Sequence, residues 1–221
     1  MNFNIPNILT ILRLLAAPGV AVMFLYFHRP WADWFALTLF VGAAITDWFD
    51  GYLARLWKQE SKFGTMLDPI ADKAMVVIAL MVITGYNGMN AWLIIPATVI
   101  LFREVFVSGL REYLGAKADL LKVTKLAKWK TTAQMVAIAV LFLGTGLEYL
   151  NGVAMQGMTP DQYAEAVSAG LADPIRACGK SDCASFANTI GLGLIWIAAL
   201  LTAVTGFDYF RKALPFLRED A

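Results

Sequence analysis

The chain has 221 residues, of which 59% are hydrophobic and 16% charged, with a mean hydropathy of +0.61. Water-soluble domains carry about 25% charged residues and 45–50% apolar ones, so the composition excludes an ordinary soluble domain and places the chain in lipid. A net charge of +1 gives no electrostatic case for a nucleic-acid partner.

Six apolar stretches follow one another, and each is long enough to cross a hydrocarbon core about 30 Å thick, which takes ~20 helical residues. They are continuous rather than alternating, which favours helices over the strands of a barrel. The first spans 7–28. Its leader, Met1 to Asn7, has no Lys or Arg, and Arg13 lies inside the apolar run. That is not the pattern of a secretory signal peptide. The second spans 32–56 and carries Asp47, Asp50, Gly51 and Arg55 towards its end. A short loop with Lys58, Ser61, Lys62 and Gly64 leads to the third, at 69–87, which opens beside Asp68, Asp72 and Lys73. The fourth, at 91–113, contains Arg103 and Glu104 and ends at Arg111. A basic segment with Lys117, Lys122, Lys125, Lys128 and Lys130 opens the fifth, at 124–148. The sixth spans 186–209 and is followed by Arg211, Lys212 and Arg218.

Between the last two lies a more polar stretch, 149–185, with Asp161, Glu165, Asp173 and Asp182 against Arg176 and Lys180. It is read as a loop insert on the non-cytoplasmic side, with a short helix starting at Thr159-Pro160-Asp161-Gln162. Its Cys178 and Cys183 could pair in an oxidising compartment or stay as two thiols. Lys and Arg concentrate in the loops after the second and fourth spans and in the tail, so those segments and both termini are expected in the cytoplasm. The expected architecture is a single all-α integral membrane domain of six spans.

Ionisable side chains in membrane segments are costly and mark function. Asp47 and Asp50 are three apart and Asp68 and Asp72 four apart, so each pair shares one helical face. The two helices are joined by a short loop and run antiparallel, which brings both pairs to similar depth near the cytoplasmic surface. Four facing carboxylates repel without cations. Hard divalent ions such as Mg²⁺ or Mn²⁺ take oxygen ligands, and two such ions ~3.5–4 Å apart can clamp a phosphate group. Gly51 lets a bulky ligand approach the helix backbone, and Gly64 would do so from the loop. Arg55, one turn past Gly51, could meet a phosphate or a carboxylate. Taken singly, Gly64 reads as a loop glycine and Arg55 as an interfacial anchor.

The run from Asp47-Trp48-Phe49-Asp50-Gly51 through Arg55, Gly64 and Asp68 to Asp72 resembles the signature of the CDP-alcohol phosphatidyltransferase family, with every defining position and spacing present. The likeness is strongest to the bacterial phosphatidylglycerophosphate synthase branch. It extends through Asn4-Ile5-Pro6-Asn7-Ile8-Leu9-Thr10 with Arg13, Arg103-Glu104, Lys128-Trp129-Lys130-Thr131 with Gln134, and Thr205-Gly206-Phe207-Asp208-Tyr209. The resemblance implies a homodimer of six-helix protomers in the bacterial inner membrane, with a polar cavity open to the cytoplasm. It implies two metal ions held by Asp47, Asp50, Asp68 and Asp72, and Asp72 as the base. Depth alone does not choose between Asp72 and Asp47 for that role.

The implied reaction transfers a phosphatidyl group from CDP-diacylglycerol to glycerol 3-phosphate and releases CMP. No nucleophilic Ser, Cys or His joins the constellation, which points to single-step transfer. The CDP-lipid is expected against Gly51, Arg55, Ser61, Gly64 and Thr10, with Arg13 beside them. Arg103, Arg111, Lys128 and Lys130 are the expected holders of the acceptor's phosphate. Against that role, Arg103 could instead pair with Glu104, and the lysines could be ordinary positive-inside charge. Inositol phosphate, phosphatidylglycerol or an amino alcohol are alternative acceptors for the same chemistry. An ion-coupled transporter is the reading from another class. It expects acids near the bilayer midplane and broken helices, whereas these acids gather at one interface.

Overall fold

The computed structural model describes residues 5–29, 31–57, 62–115, 125–155, 161–162 and 180–217, with side chains at 5–6, 48–57, 62, 125–128, 151–155 and 180–184 left aside. Among the described residues there are six long helices and no strand. They are α1 (Ile5–Tyr26), α2 (Trp31–Trp57), α3 (Lys62–Tyr86), α4 (Ala91–Leu114), α5 (Lys125–Met155) and α6 (Lys180–Leu217). Four of them contain segments long and apolar enough to cross a membrane: Asn7–Tyr26, Ala91–Leu114, Trp129–Leu150 and Ser185–Leu217. The chain is therefore a multi-pass membrane protein, built from helices because a backbone in lipid must satisfy its own hydrogen bonds.

Local sequence explains the ends. The α3–α4 turn has positive φ at Gly88 (60°) and Met89 (61°), and Asn90 caps α4 by accepting a hydrogen bond from the Trp92 backbone N–H at 3.0 Å. Three ends differ from the sequence expectation. The helix α3 begins at Lys62, so Gly64 lies buried in its first turn and not in a loop. At the other side, α5 runs to Met155 and α6 starts at Lys180, so helix occupies both ends of the stretch read as a loop. Hydropathy reports where a helix is apolar, and the hydrogen-bonded helix continues past that limit into the interface. The remainder of 149–185 lies outside the described residues, apart from Asp161 and Gln162, and so does Cys178; only the backbone of Cys183 is described.

The buried stripe of α1 runs Asn7, Thr10, Arg13, Ala17, Val20 and Phe24, the three- and four-residue spacing of one helical face. Its first half is polar and its second half apolar. The apolar half joins a core of Ala36, Phe40, Ala79, Leu80, Ile83, Ile100, Ile138, Phe142, Ile195 and Ala198, among others. The many alanines allow close approach, as in other membrane bundles. The helix α1 lies against α2 and α3, α5 runs along α6, and α4 packs on α6. At the α5–α6 contact, a Cβ on Gly191 would fall 2.8 Å from Leu141 Cδ2 and 3.3 Å from the Leu141 backbone nitrogen.

Candidate functional site

The polar half of α1 meets the acidic ends of α2 and α3. Arg13 is 3% exposed. Its Nη1 donates to Asp47 Oδ1 at 2.5 Å and to Asp72 Oδ1 at 3.0 Å. Thr10, one turn earlier, donates its hydroxyl to Asp68 Oδ1 at 2.8 Å. Three of the four signature acids are thus tied to α1, and a single cationic nitrogen bridges α2 and α3. A buried guanidinium needs such partners, because an isolated charge in this setting is strongly disfavoured. The carboxyls of Asp47 and Asp72 remain 45% and 42% exposed, so both keep open surface for a ligand.

Thr10 was expected to line the nucleotide site. It is 2% exposed and its hydroxyl donates to Asp68, which places it one hydrogen bond from a signature acid. Asp50, Gly51 and Arg55 sit on α2, but their side-chain surroundings lie outside the described residues, as does all of Ser61.

The donor set suits a hard divalent cation, since it consists of carboxylate oxygens with no sulfur or imidazole. The bridging nitrogen of Arg13 stands where positive charge is stabilised by two of those carboxylates. Among the described residues, no group of three or more His, Cys, Asp or Glu side chains stands ready as a ligand cluster. The side chain of Asp50, the fourth acid, is outside that set.

Beside the acids a cavity of ~280 Å³ opens between α3, α4 and α5. Asp72 and Lys73 form part of one wall, and Arg103, Glu104, Arg111 and Lys130 line the remainder with Ser108 and Gln134. The structure therefore brings the expected phosphate-binding residues Arg103, Arg111 and Lys130 into the same cavity as Asp72. Lys128 is helical, with its side chain outside the described residues. Glu104 is the organising acid. It pairs with Lys130 and lies 3.5 Å from Arg103 Nη1. Lys73 donates to Ser108 Oγ at 2.5 Å, and Arg111 Nε donates to the Tyr209 hydroxyl at 3.3 Å. Two acids, Asp72 and Glu104, among four cations leave the pocket with an excess of positive charge, which suits an anionic ligand.

Sequence reasoning missed Lys73 as a lining residue and Arg13 as the bridge. The signal for Lys73 was its place next to Asp72. For Arg13 it was a charged residue at a three-residue spacing from Asn7 and Thr10 in an apolar helix. A second ionic cluster at the other end of the bundle was also missed. Arg29 makes two bonds to Asp33, at 2.8 and 2.6 Å, and one to the Thr145 carbonyl at 3.0 Å. Its guanidinium lies between the rings of Tyr86 and Tyr149, 5.1 and 4.4 Å from their centroids.

Residues 3–164 match the family model of CDP-alcohol phosphatidyltransferases. The chain is 80% identical over 220 residues, the full length of both, to a Cereibacter sphaeroides protein named CDP-diacylglycerol–glycerol-3-phosphate 3-phosphatidyltransferase. A Salmonella choleraesuis protein of the same name is 44% identical over 143 residues, covering 64% of this chain and 78% of its own length. A third, from Shigella flexneri, is 38% identical over 185 residues, covering 78% of this chain and all of its own.

Proposed function

The chain belongs to the CDP-alcohol phosphatidyltransferase family, and on that premise we propose that it transfers a phosphatidyl group from CDP-diacylglycerol to glycerol 3-phosphate, giving phosphatidylglycerophosphate and CMP. The observation that carries the reading is the cavity in which Asp72 shares a space with Arg103, Arg111 and Lys130. The acceptor has a phosphate at one end and a reacting hydroxyl at the other. A pocket with cations on one side and a carboxylate on another can hold both.

In this mechanism Arg103, Arg111 and Lys130 hold the acceptor's phosphate by charge-assisted hydrogen bonds. That fixes the acceptor hydroxyl toward Asp72, which takes its proton as general base. The acceptor oxygen bonds to the phosphatidyl phosphorus, and the bond from that phosphorus to the CMP oxygen breaks. Arg13 holds Asp72 and Asp47 in register, and Thr10 does the same for Asp68. Divalent-cation dependence goes with the family, and two ions, Mg²⁺ or Mn²⁺, held by Asp47, Asp50, Asp68 and Asp72 would supply charge neutralisation at the diphosphate. Gly51, Arg55, Ser61 and Gly64 border the CDP-lipid in the same reading.

The setting is a six-span homodimer in the bacterial inner membrane, with both termini and the cavity facing the cytoplasm. The Lys and Arg distribution supports that orientation, and the family resemblance supports the dimer. The 149–185 insert lies on the other side.

The test is CMP release by purified protein across an acceptor panel. Glycerol 3-phosphate should be the best substrate, and free glycerol a poor one, since it leaves the cations without an anion. Faster release with inositol phosphate, phosphatidylglycerol or an amino alcohol would remove the acceptor assignment and leave the reaction class standing.

A further inference from the structure

The last turns of α6 face the two arginines that α4 contributes to the cavity. Tyr209 is 9% exposed. Its hydroxyl accepts the Arg111 Nε bond at 3.3 Å, and the Arg111 Cζ lies 5.8 Å from its ring centroid. One turn earlier on the same face, Gly206 leaves room for the stem of Arg103. A Cβ on Gly206 would fall 2.8 Å from Arg103 Cγ and 3.7 Å from its Nε. That Nε is buried with no hydrogen-bond partner among the described residues, and Nη1 is the nitrogen that reaches Glu104.

These contacts act on the aim of the two side chains. An arginine recognises phosphate through a planar fork of N–H groups, and its value depends on how the fork is held. Tyr209 engages Arg111 at Nε, a contact that occupies neither terminal nitrogen of Arg111. Gly206 lets the Arg103 stem lie flat on α6. A methyl group there would push a flexible stem aside before it disturbed the helix, and the guanidinium would move with it.

We propose that Gly206 and Tyr209 are positioning residues that aim Arg103 and Arg111 at the acceptor's phosphate, and so set the affinity for the phosphorylated acceptor. The proposal rests on reading the cavity as the glycerol 3-phosphate pocket. It gives α6 a part in substrate selection although no signature acid lies on that helix.

Steady-state kinetics of the purified full-length protein in detergent test it, on Gly206→Ala, Tyr209→Phe and, as reference, Arg111→Ala. A lost or misaimed hydrogen bond is worth about three- to tenfold. Gly206→Ala and Tyr209→Phe should each raise KM for glycerol 3-phosphate by about that factor, with kcat and KM for CDP-diacylglycerol held within about twofold. Arg111→Ala should raise it further. A loss shared equally by both substrates, or a fall in kcat alone, would overturn the positioning role. So would an unchanged acceptor KM in both α6 variants while Arg111→Ala raises it, and the pocket reading would then survive. If Arg111→Ala also leaves that KM unchanged, the pocket reading falls together with the proposal. Tyr209→Phe keeps the ring and its packing, so it decides the matter even if Gly206→Ala fails to fold.

Discussion

Asp72 stands at the junction of two arrangements: it accepts a bond from Arg13 on one side and lines the proposed acceptor cavity on the other. Asp72→Asn keeps the shape and loses the basic oxygen, so turnover should fall by ~10²-fold or more while CDP-lipid binding persists. Near-normal turnover would reduce Asp72 to a structural acid. The acid pairs were legible in the sequence because their spacing is local, three and four residues along one helix. The bridge from Arg13 was not, because its partners lie 34 and 59 positions away and no periodicity encodes such a meeting. Asp33, whose side chain is 1% exposed, has its cation four residues away, and the part the sequence hides is that Arg29 also reaches Thr145 on α5. Removing one partner of a buried pair leaves the other uncompensated. Arg29 keeps some contact with solvent, so Asp33→Ala should cost about 2–4 kcal/mol after that discount. In detergent the melting temperature should drop by roughly 5–15 °C, with activity per folded molecule unchanged. A drop in activity at unaltered melting temperature would instead tie Asp33 to the reaction.

At the scale of elements, the described residues of the six apolar stretches are helical in the structure apart from the outermost ones, and the antiparallel sense of α1 to α2, α2 to α3 and α3 to α4 follows from short links. What hydropathy did not give was the depth of contact between helices. In the sequence, nothing marks Gly144 and Gly191 among the other members of their apolar runs. In the structure they are places where α5 and α6 nearly touch. A Cβ on Gly144 would collide with Asn188 Oδ1. Gly191→Ala must displace Leu141, and overpacking of that kind costs about 1–3 kcal/mol. Thermal melts should show the loss, and a variant as stable as the parent would mean that the two helices separate without penalty. The signature acids of α2 and α3 make the second prediction at this scale. Arg13 supplies one positive charge to carboxylates on both helices, and their remaining charge needs cations from solution. Chelation with EDTA should abolish CMP release, and Mg²⁺ or Mn²⁺ should restore it. Full activity in metal-free buffer would break the two-metal reading.

For the whole molecule, the two ends of the bundle differ in charge and in chemistry. One end holds the acids, the cavity and the basic residues of α4, α5 and the tail. The opposite end is closed by Arg29, which gathers the α1–α2 link, Tyr86 at the end of α3, and Thr145 and Tyr149 on α5. That gathering puts the start of the 149–185 stretch at the end away from the acids, although its own sequence says only that it is polar and poor in Lys and Arg. In the proposed setting the positive-inside bias orients the bundle as a unit, with the cavity turned to the side where a phosphorylated, water-soluble acceptor is supplied. An orientation set in this way is measurable with single cysteines in a background carrying Cys178→Ser and Cys183→Ser. His28 is exposed at the Arg29 end and Arg211 is exposed near the end of α6. In intact spheroplasts an impermeant thiol reagent should label His28→Cys at once. Arg211→Cys should be labelled only after the membrane is opened. The opposite pattern would turn the cavity outward, where glycerol 3-phosphate made inside the cell could not reach Asp72 without first crossing the membrane.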